Sequence, residues 1–325
     1  MDINVATIEL DVIIKQMLIL YLLAAVGYVA AKSKLFPGSF STSFSKLILR
    51  VTMPCTILAH MMEHRFTFDQ WMNGIKLTFV SLTFIMMALG ISCLTTKMLK
   101  LPMKTADIYK IQSMFGNVIF LAYPLLTALF GSMGELMALF FNIGNDILLW
   151  TLGIYLAGRH KKEPFKNNII KIVNPNTLAF ILGTIFMLTG IGPGLLETIP
   201  GQALNTIGGL TSPLAMIFIG IALAGVRFRD FRGKFLGSVA LLSLQKLLVV
   251  PLLALFIMLP FKNFLGHTVI VIGVMQLAMP VGTATVSIAA EYESDEKFAS
   301  ASAMMTALAV LGTMPLIILM LKAFL

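Results

Sequence analysis

Apolar residues run along this chain in long, nearly uninterrupted blocks separated by short polar joints, without the strict alternation that a half-buried strand would show. Blocks of this kind, about 20 residues long, match what a helix needs to cross a hydrocarbon layer of about 30 Å. Ten spans follow, near 12–31, 40–61, 74–96, 107–131, 134–158, 174–192, 201–226, 234–259, 266–291 and 298–323. The expected fold class is an all-α polytopic membrane protein. A membrane β-barrel would alternate lipid-facing and lumen-facing residues, and this chain does not.

Two spans break the pattern in the same way. Gln112 to Gly131 and Gly273 to Tyr292 each carry a proline near the middle, Pro124 or Pro280, with an amide upstream, Asn117 or Gln276. Proline removes a backbone donor and clashes with the carbonyl one turn back, so each helix is expected to break there. Broken backbone is tolerated in a bilayer only where protein or a cavity surrounds it, and paired broken spans point to a transporter's binding site. The plainer reading is two ordinary proline kinks, since proline is frequent in spanning helices.

The halves of the chain echo one another. Pro54, Pro102 and Pro124 match Pro213, Pro260 and Pro280 at offsets of 159, 158 and 156, TMP at Thr52 matches TSP at Thr211, and LPMK at Leu101 matches LPFK at Leu259. This predicts a five-helix repeat over 1–158, a linker over 159–173 and a second repeat over 174–325. Five is odd, so the copies would enter the membrane from opposite sides, with a binding site near the midplane.

Composition sharpens the class. Hydrophobic residues make up 58 % of the chain and charged ones only 12 %, with a mean hydropathy of +0.91, against about a quarter charged in soluble proteins. The formal charge of +9 is spread over short loops on one side of the predicted membrane, which reads as orientation rather than nucleic-acid binding. The odd-numbered loops are then cytoplasmic and both termini extracytoplasmic, in a cell membrane. Asp2, Glu9 and Asp11 precede the first apolar run, so no cleaved leader is expected there. Cys55 and Cys93 both fall inside apolar spans and are expected to be small core residues rather than a disulfide or metal pair. Trp71 and Trp150 read as interfacial anchors. No HExxH, CxxC, P-loop or Ser-His-Asp order occurs, so neither a cofactor nor ATP-driven transport by this chain alone is expected.

Met275 to Met320, MQLAMPVGTATVSIAAEYESDEKFASASAMMTALAVLGTMPLIILM, resembles the last two helices of the auxin efflux carrier family. That family includes plant carriers and bacterial permeases for malate and malonate. GYVAAKSKLF with SKLILRVTMPCTIL resembles its opening helix pair, and GNVIFLAYPLL its asparagine-to-proline crossover. The resemblance implies ten helices in two inverted repeats, with helices 1, 2, 6 and 7 as a scaffold and helices 3–5 and 8–10 as a transport domain. It further implies broken helices 4 and 9 crossing at the substrate site, an elevator-like motion, and kinship with bile-acid sodium symporters and sodium/proton antiporters. The chain departs from the plant carriers in lacking their long central hydrophilic loop.

Few polar residues remain for chemistry. Asn117, Tyr123, Pro124, Gln276, Pro280 and Thr283 form the expected substrate-binding set. Thr285 and Ser287 follow on the same segment, and their hydroxyls read equally as helix-packing groups. Asp146 is the one acid placed mid-span, with Asn142 and Asn145 beside it; a carboxylate there is costly and is read as functional. It would carry a proton or coordinate a cation, or else pair structurally with a neighbouring helix. Lys246, the one mid-span base, would either counter an anionic substrate or pair with Asp146, and Gln245 beside it is a weaker candidate. The leading expectation is a secondary transporter or facilitator for a small organic anion, auxin-like or a dicarboxylate. A proton or sodium ion is the candidate coupling partner, the bilayer is the surrounding partner, and a homodimer is an analogy from elevator-type scaffolds. A sodium-coupled bile-acid-type symporter is the alternative, disfavoured by the lack of a glutamate near Gln276. An intramembrane enzyme using Asp146 lacks a second acid, histidine or metal set within reach.

Overall fold

The computed structural model describes residues 10–35, 40–63, 67–119, 121–161, 175–225 and 233–325. The predicted linker beyond Lys161 and the basic residues Arg227, Arg229 and Arg232 lie outside them. Among the described residues the architecture is all-helical, and the one strand-like feature is an isolated antiparallel bridge. The helices are α1 (Leu10–Lys32), α2 (Phe40–Leu47), α3 (Met53–Glu63), α4 (Phe68–Met98), α5 (Met103–Met114), α6 (Ala122–Leu148), α7 (Ile154–Gly158), α8 (Pro175–Thr189), α9 (Gly192–Leu196), α10 (Ile199–Gly209), α11 (Thr211–Ala224), α12 (Gly233–Leu244), α13 (Val250–Met258), α14 (Lys262–Leu265), α15 (His267–Leu277), α16 (Thr283–Glu291) and α17 (Glu296–Phe324). Inside α6 the backbone leaves helical geometry at Gly131 (φ 61°, ψ −152°), a conformation open to glycine, and so marks a sharp break.

Among the described residues, five segments are long and apolar enough to cross a membrane: Phe68–Met98, Met133–Gly158, Ile199–Ile221, Gly233–Leu265 and Glu296–Phe324. Tyr21–Lys32, Leu178–Thr189 and His267–Leu277 are shorter apolar helices. Three π turns interrupt the regular helices, at Ile48–Thr52, Leu149–Gly153 and Gln245–Val249. Two of them end two residues before a proline, Pro54 or Pro251. The proline cannot donate to the carbonyl one turn back, and a widened turn redistributes the bonds that remain.

Two compact units emerge. One gathers residues from Met1–Met17, Asn73–Asn168 and Gly225–Leu325, the other from Leu18–Met72 and Ile169–Ala224. In the smaller unit, α3 packs against α8, α9 and α10, and α2 against α11. Thr56 anchors this packing: its hydroxyl donates to Thr52 O at 3.0 Å or Gly208 O at 2.8 Å and lies 2.6 Å from the hydroxyl of Thr211. Helices α1 and α11 meet backbone to backbone. A Cβ added at Gly220 would lie 1.8 Å from the Ala24 carbonyl oxygen, and one at Gly27 would lie 2.0 Å from that of Ile217. Such close approach is available only to glycine, and small residues are the usual means of packing helices where no hydrophobic force acts between them.

In the larger unit, α17 packs along α12, α16 and α5, and α15 lies against α6 and α13. Cys93 corrects the expectation of a buried thiol: it lies on an exposed face, and Cys55 is half-buried. In lipid an exposed thiol costs little, so an apolar span did not require it inside.

Gly220→Val is expected to lower the apparent unfolding temperature of the detergent-solubilised protein sharply, because overpacking against a backbone costs about 1–3 kcal/mol or more. Gly90→Ala, at a site in α4 with nothing within 4 Å, is expected to leave the temperature unchanged or raise it by the helix-propensity gain of about 0.5–1 kcal/mol. Equal losses in the two variants would refute the close-packed reading of α1 and α11.

Candidate functional site

The site is built where two helices of the larger unit stop. Helix α5 ends at Met114 and the chain runs extended through Phe115, Gly116 and Asn117 before α6 begins at Ala122. Helix α15 ends at Leu277, and Ala278 to Gly282 lead into α16. The two links lie antiparallel, bridged at Gly116 and Val281. Asn117 N donates to Pro280 O at 2.7 Å, and Gly282 N donates to Phe115 O at 3.1 Å. All five residues, Gly116, Asn117, Pro280, Val281 and Gly282, are buried. Buried backbone groups must be paired, and each broken helix supplies what the other lacks.

Side chains complete the pairing. Val281 N donates to Thr306 Oγ1 at 3.1 Å, while the Thr306 hydroxyl donates back into its own helix at Ser302 O. Thr285 Oγ1 donates to Gly282 O at 2.6 Å. Gln112 Nε2 reaches Ala299 O at 2.8 Å and Thr285 Oγ1 at 3.3 Å, and its Oε1 accepts from the Ser302 hydroxyl, so one amide joins α5, α16 and α17.

Lys246 and Gln245 enter from the π turn Gln245–Val249. Lys246 is 1 % exposed, and its Nζ donates to Met114 O at 3.2 Å. An ammonium there satisfies a carbonyl at the negative end of α5. It also borders the link: a Cβ at Gly116 would lie 3.4 Å from Nζ. Gln245 Nε2 donates to Ser113 Oγ at 2.5 Å, and its Oε1 accepts from Tyr109 OH at 3.1 Å and Thr95 Oγ1 at 3.2 Å. Asp146 sits elsewhere, half-buried, accepting from Asn142 Nδ2 at 3.1 Å and Asn145 Nδ2 at 3.4 Å. Among the described residues no ion pair joins Lys246 to Asp146. The expected pairing is thus not formed, because each group has nearer polar partners of its own.

The residues singled out from sequence divide accordingly. Asn117 and Pro280 stand face to face in the links, and Thr283 opens α16 at half-burial. Pro124 lies in the first turn of α6, not in the link, and its ring lies outside the described side chains; Tyr123 before it is buried. Gln276 is fully buried in α15, four residues before Pro280, and its Nε2 donates to Ala138 O at 3.5 Å. Among the described residues no group of three or more histidines, cysteines or acids is gathered to hold a metal.

The family model described as a membrane transport protein, that of the auxin efflux carriers, matches residues 12–170 and 165–318. The chain belongs to the auxin efflux carrier family. This carrier is similar to an uncharacterized transporter of Methanothermobacter thermautotrophicus, 31 % identical over 61 % of this chain and 62 % of that protein. It is also similar to an uncharacterized transporter of Methanocaldococcus jannaschii, 25 % identical over 92 % of this chain and 94 % of that one. The chain therefore covers less than two thirds of the first of these relatives. The family and the apolar helices make the carrier a multi-pass membrane transport protein.

One polar centre of the carrier was missed in the sequence. Asp107 is 1 % exposed in α5. It accepts from Arg159 Nε at 2.6 Å, from Arg159 Nη2, and from Lys110 Nζ at 3.2 Å. The hydrogen bond to Asp107 holds the Arg159 guanidinium above its already high ordinary value. Asp107 fell at the predicted edge of a span, where an acid looks solvated; the arginine 52 positions later gave no local signal.

Gly282→Ala in the carrier would put a methyl 2.8 Å from Gly116 O, so it is expected to weaken the link and to impair both thermal stability and transport. Retention of both would show that the link yields freely. Arg159→Ala is expected to cost about 1–3 kcal/mol by leaving the buried Asp107 with Lys110 as its remaining cationic partner, part of the full penalty being screened at the half-exposed arginine. A double-mutant cycle with Asp107→Asn should recover a share of that loss.

Proposed function

We propose that this carrier moves a small organic anion, auxin-like or a dicarboxylate such as malate or malonate, by alternating access, with the anion bound at the paired helix breaks. The carrying observation is the pair of buried links that exchange Asn117 N to Pro280 O and Gly282 N to Phe115 O beside the ammonium of Lys246. A helix beginning at a break offers partial positive charge and unpaired N–H groups to a carboxylate, as α16 does at Thr283. Asn117 and Tyr123 supply groups that can donate to an anion, and Lys246 adds the positive charge.

The reading extends to ten spans in two inverted five-helix repeats, with the links as crossovers of spans 4 and 9. The proline offsets and the matching interruptions support it. The larger unit would be the transport domain and the smaller one the scaffold of an elevator; their composition, each drawn from both halves of the chain, supports that division. Asp146 with Asn142 and Asn145 would form the ion-coupling group.

Counterflow of labelled malate, malonate or indole-3-acetate into proteoliposomes tests the proposal. Saturable exchange of one acid, reduced at least tenfold by Asn117→Ala and by Lys246→Met, is the expected result. No exchange across a broad panel of carboxylates, from protein shown to be folded, would overturn it.

A further inference from the structure

Among the described residues, three buried amide oxygens of the larger unit have no hydrogen-bond partner: Oδ1 of Asn142, Oδ1 of Asn145 and Oε1 of Gln276. Their residues are 5 %, 3 % and 0 % exposed. An unpaired buried oxygen costs about 1–3 kcal/mol, so three of them along one helix face call for a donor or a cation.

They border one stretch of α6, between Ala138 and Asn145. Gln276 Nε2 is held at 3.5 Å from Ala138 O, and Ala138, Asn142 and Asn145 follow at i, i+4 and i+7 on one face of α6, the helix against which α15 packs. Both asparagine nitrogens are committed to the Asp146 carboxylate, at 3.1 and 3.4 Å. The oxygens are the ends left over, with a negative charge one amide away. We infer that Asn142, Asn145 and Gln276, with Asp146 as countercharge, form a binding site for a monovalent alkali cation.

The ligand set selects the charge. Three neutral oxygens and one carboxylate balance a single positive charge in a buried site. A calcium site uses six to eight oxygens and commonly more than one carboxylate, and zinc favours nitrogen and sulfur. A proton on Asp146 would answer at most one of these oxygens, through a turned amide, and leave the others calling for a donor or a cation.

Position gives the site a consequence. Gln276 lies in the last turn of α15, and its carbonyl accepts from Met279 N at 3.3 Å, one residue before Pro280. A cation drawn to Gln276 Oε1 would tighten the turn that leads into the link. The site deepens the ion-coupling role proposed above for Asp146, Asn142 and Asn145, and its coupling to transport rests on the anion-carrier reading.

The test is thermal unfolding of the purified full chain in detergent, in sodium, lithium, potassium or choline chloride at constant ionic strength. A saturating rise of about 5 °C with one alkali ion over choline is expected for a site filled well above its dissociation constant. Gln276→Leu and Asn142→Ala should abolish that ion-specific rise, and Asp146→Asn should raise the half-saturating concentration at least tenfold. No ion-specific shift in the unmodified chain overturns the proposal, leaving water as the donor to these oxygens, and so does a shift that survives all three substitutions. If a variant fails to fold, the unmodified chain with the remaining variants decides. An ion-specific shift without anion exchange would uphold this site and reject the anion reading; exchange without a shift would do the reverse.

Discussion

A helix that stops inside a protein leaves N–H and C=O groups with nowhere to go, and the larger unit of this carrier is arranged around that constraint. Two helices stop at the same level, and their loose ends satisfy one another through Asn117 with Pro280 and Gly282 with Phe115. What the exchange leaves over is taken up by Thr306, Thr285 and Lys246. Glycine is needed at 282 because the backbones approach too closely for a side chain between them: a Cβ there would meet Gly116 O at 2.8 Å, whereas one at Gly116 would meet side-chain atoms of Met279 and Lys246 at 3.3–3.4 Å. A neutral backbone platform results, its facing groups paired across the links, and the buried ammonium of Lys246 stands beside it.

Polar side chains in this unit act as long-range ties between helices. Gln112 holds α5 to α16 and α17, and Gln245 holds α5 to α4. Amides suit this work because each offers donors and an acceptor without charge, so neither needs a counterion in a low-dielectric interior. Asp107 with Arg159 is the contrasting solution, a charged pair at an end of the unit where the arginine keeps contact with solvent.

Much of the class was legible in the sequence because bilayer thickness imposes a length and an apolar character on each segment. The all-helical fold and the unusual status of the two proline-bearing spans follow from that imprint, while the family was read from the resemblance carried by Met275 to Met320 and GNVIFLAYPLL. Pro280 stands in its link as its chemistry requires, but Pro124 begins a helix, where its missing N–H is harmless; the break on that side is made by the extended run through Phe115 and Asn117 instead. The partners of the polar side chains could not be read. Lys246 finds a backbone carbonyl on α5 and Asp146 finds amides on its own helix. Two opposite charges, each alone mid-span, suggest a pair, but a carbonyl at a helix end competes well for an ammonium. Thr306 and Gln112 gave no signal, since a hydroxyl or amide among small residues looks the same whether it braces a link or only packs.

The antiparallel exchange also bears on how the chain is made. Residues of the larger unit come from both sides of the smaller one in sequence, and Phe115 and Asn117 are synthesised long before Pro280 and Gly282 exist. During translation the first link therefore has no lasting partner, and the early helices wait in a provisional arrangement while the intervening segments are threaded and set aside. Maturation of the whole carrier turns on the arrival of its last quarter, so a truncation well beyond the midpoint would still leave an open backbone where the finished protein has a closed one.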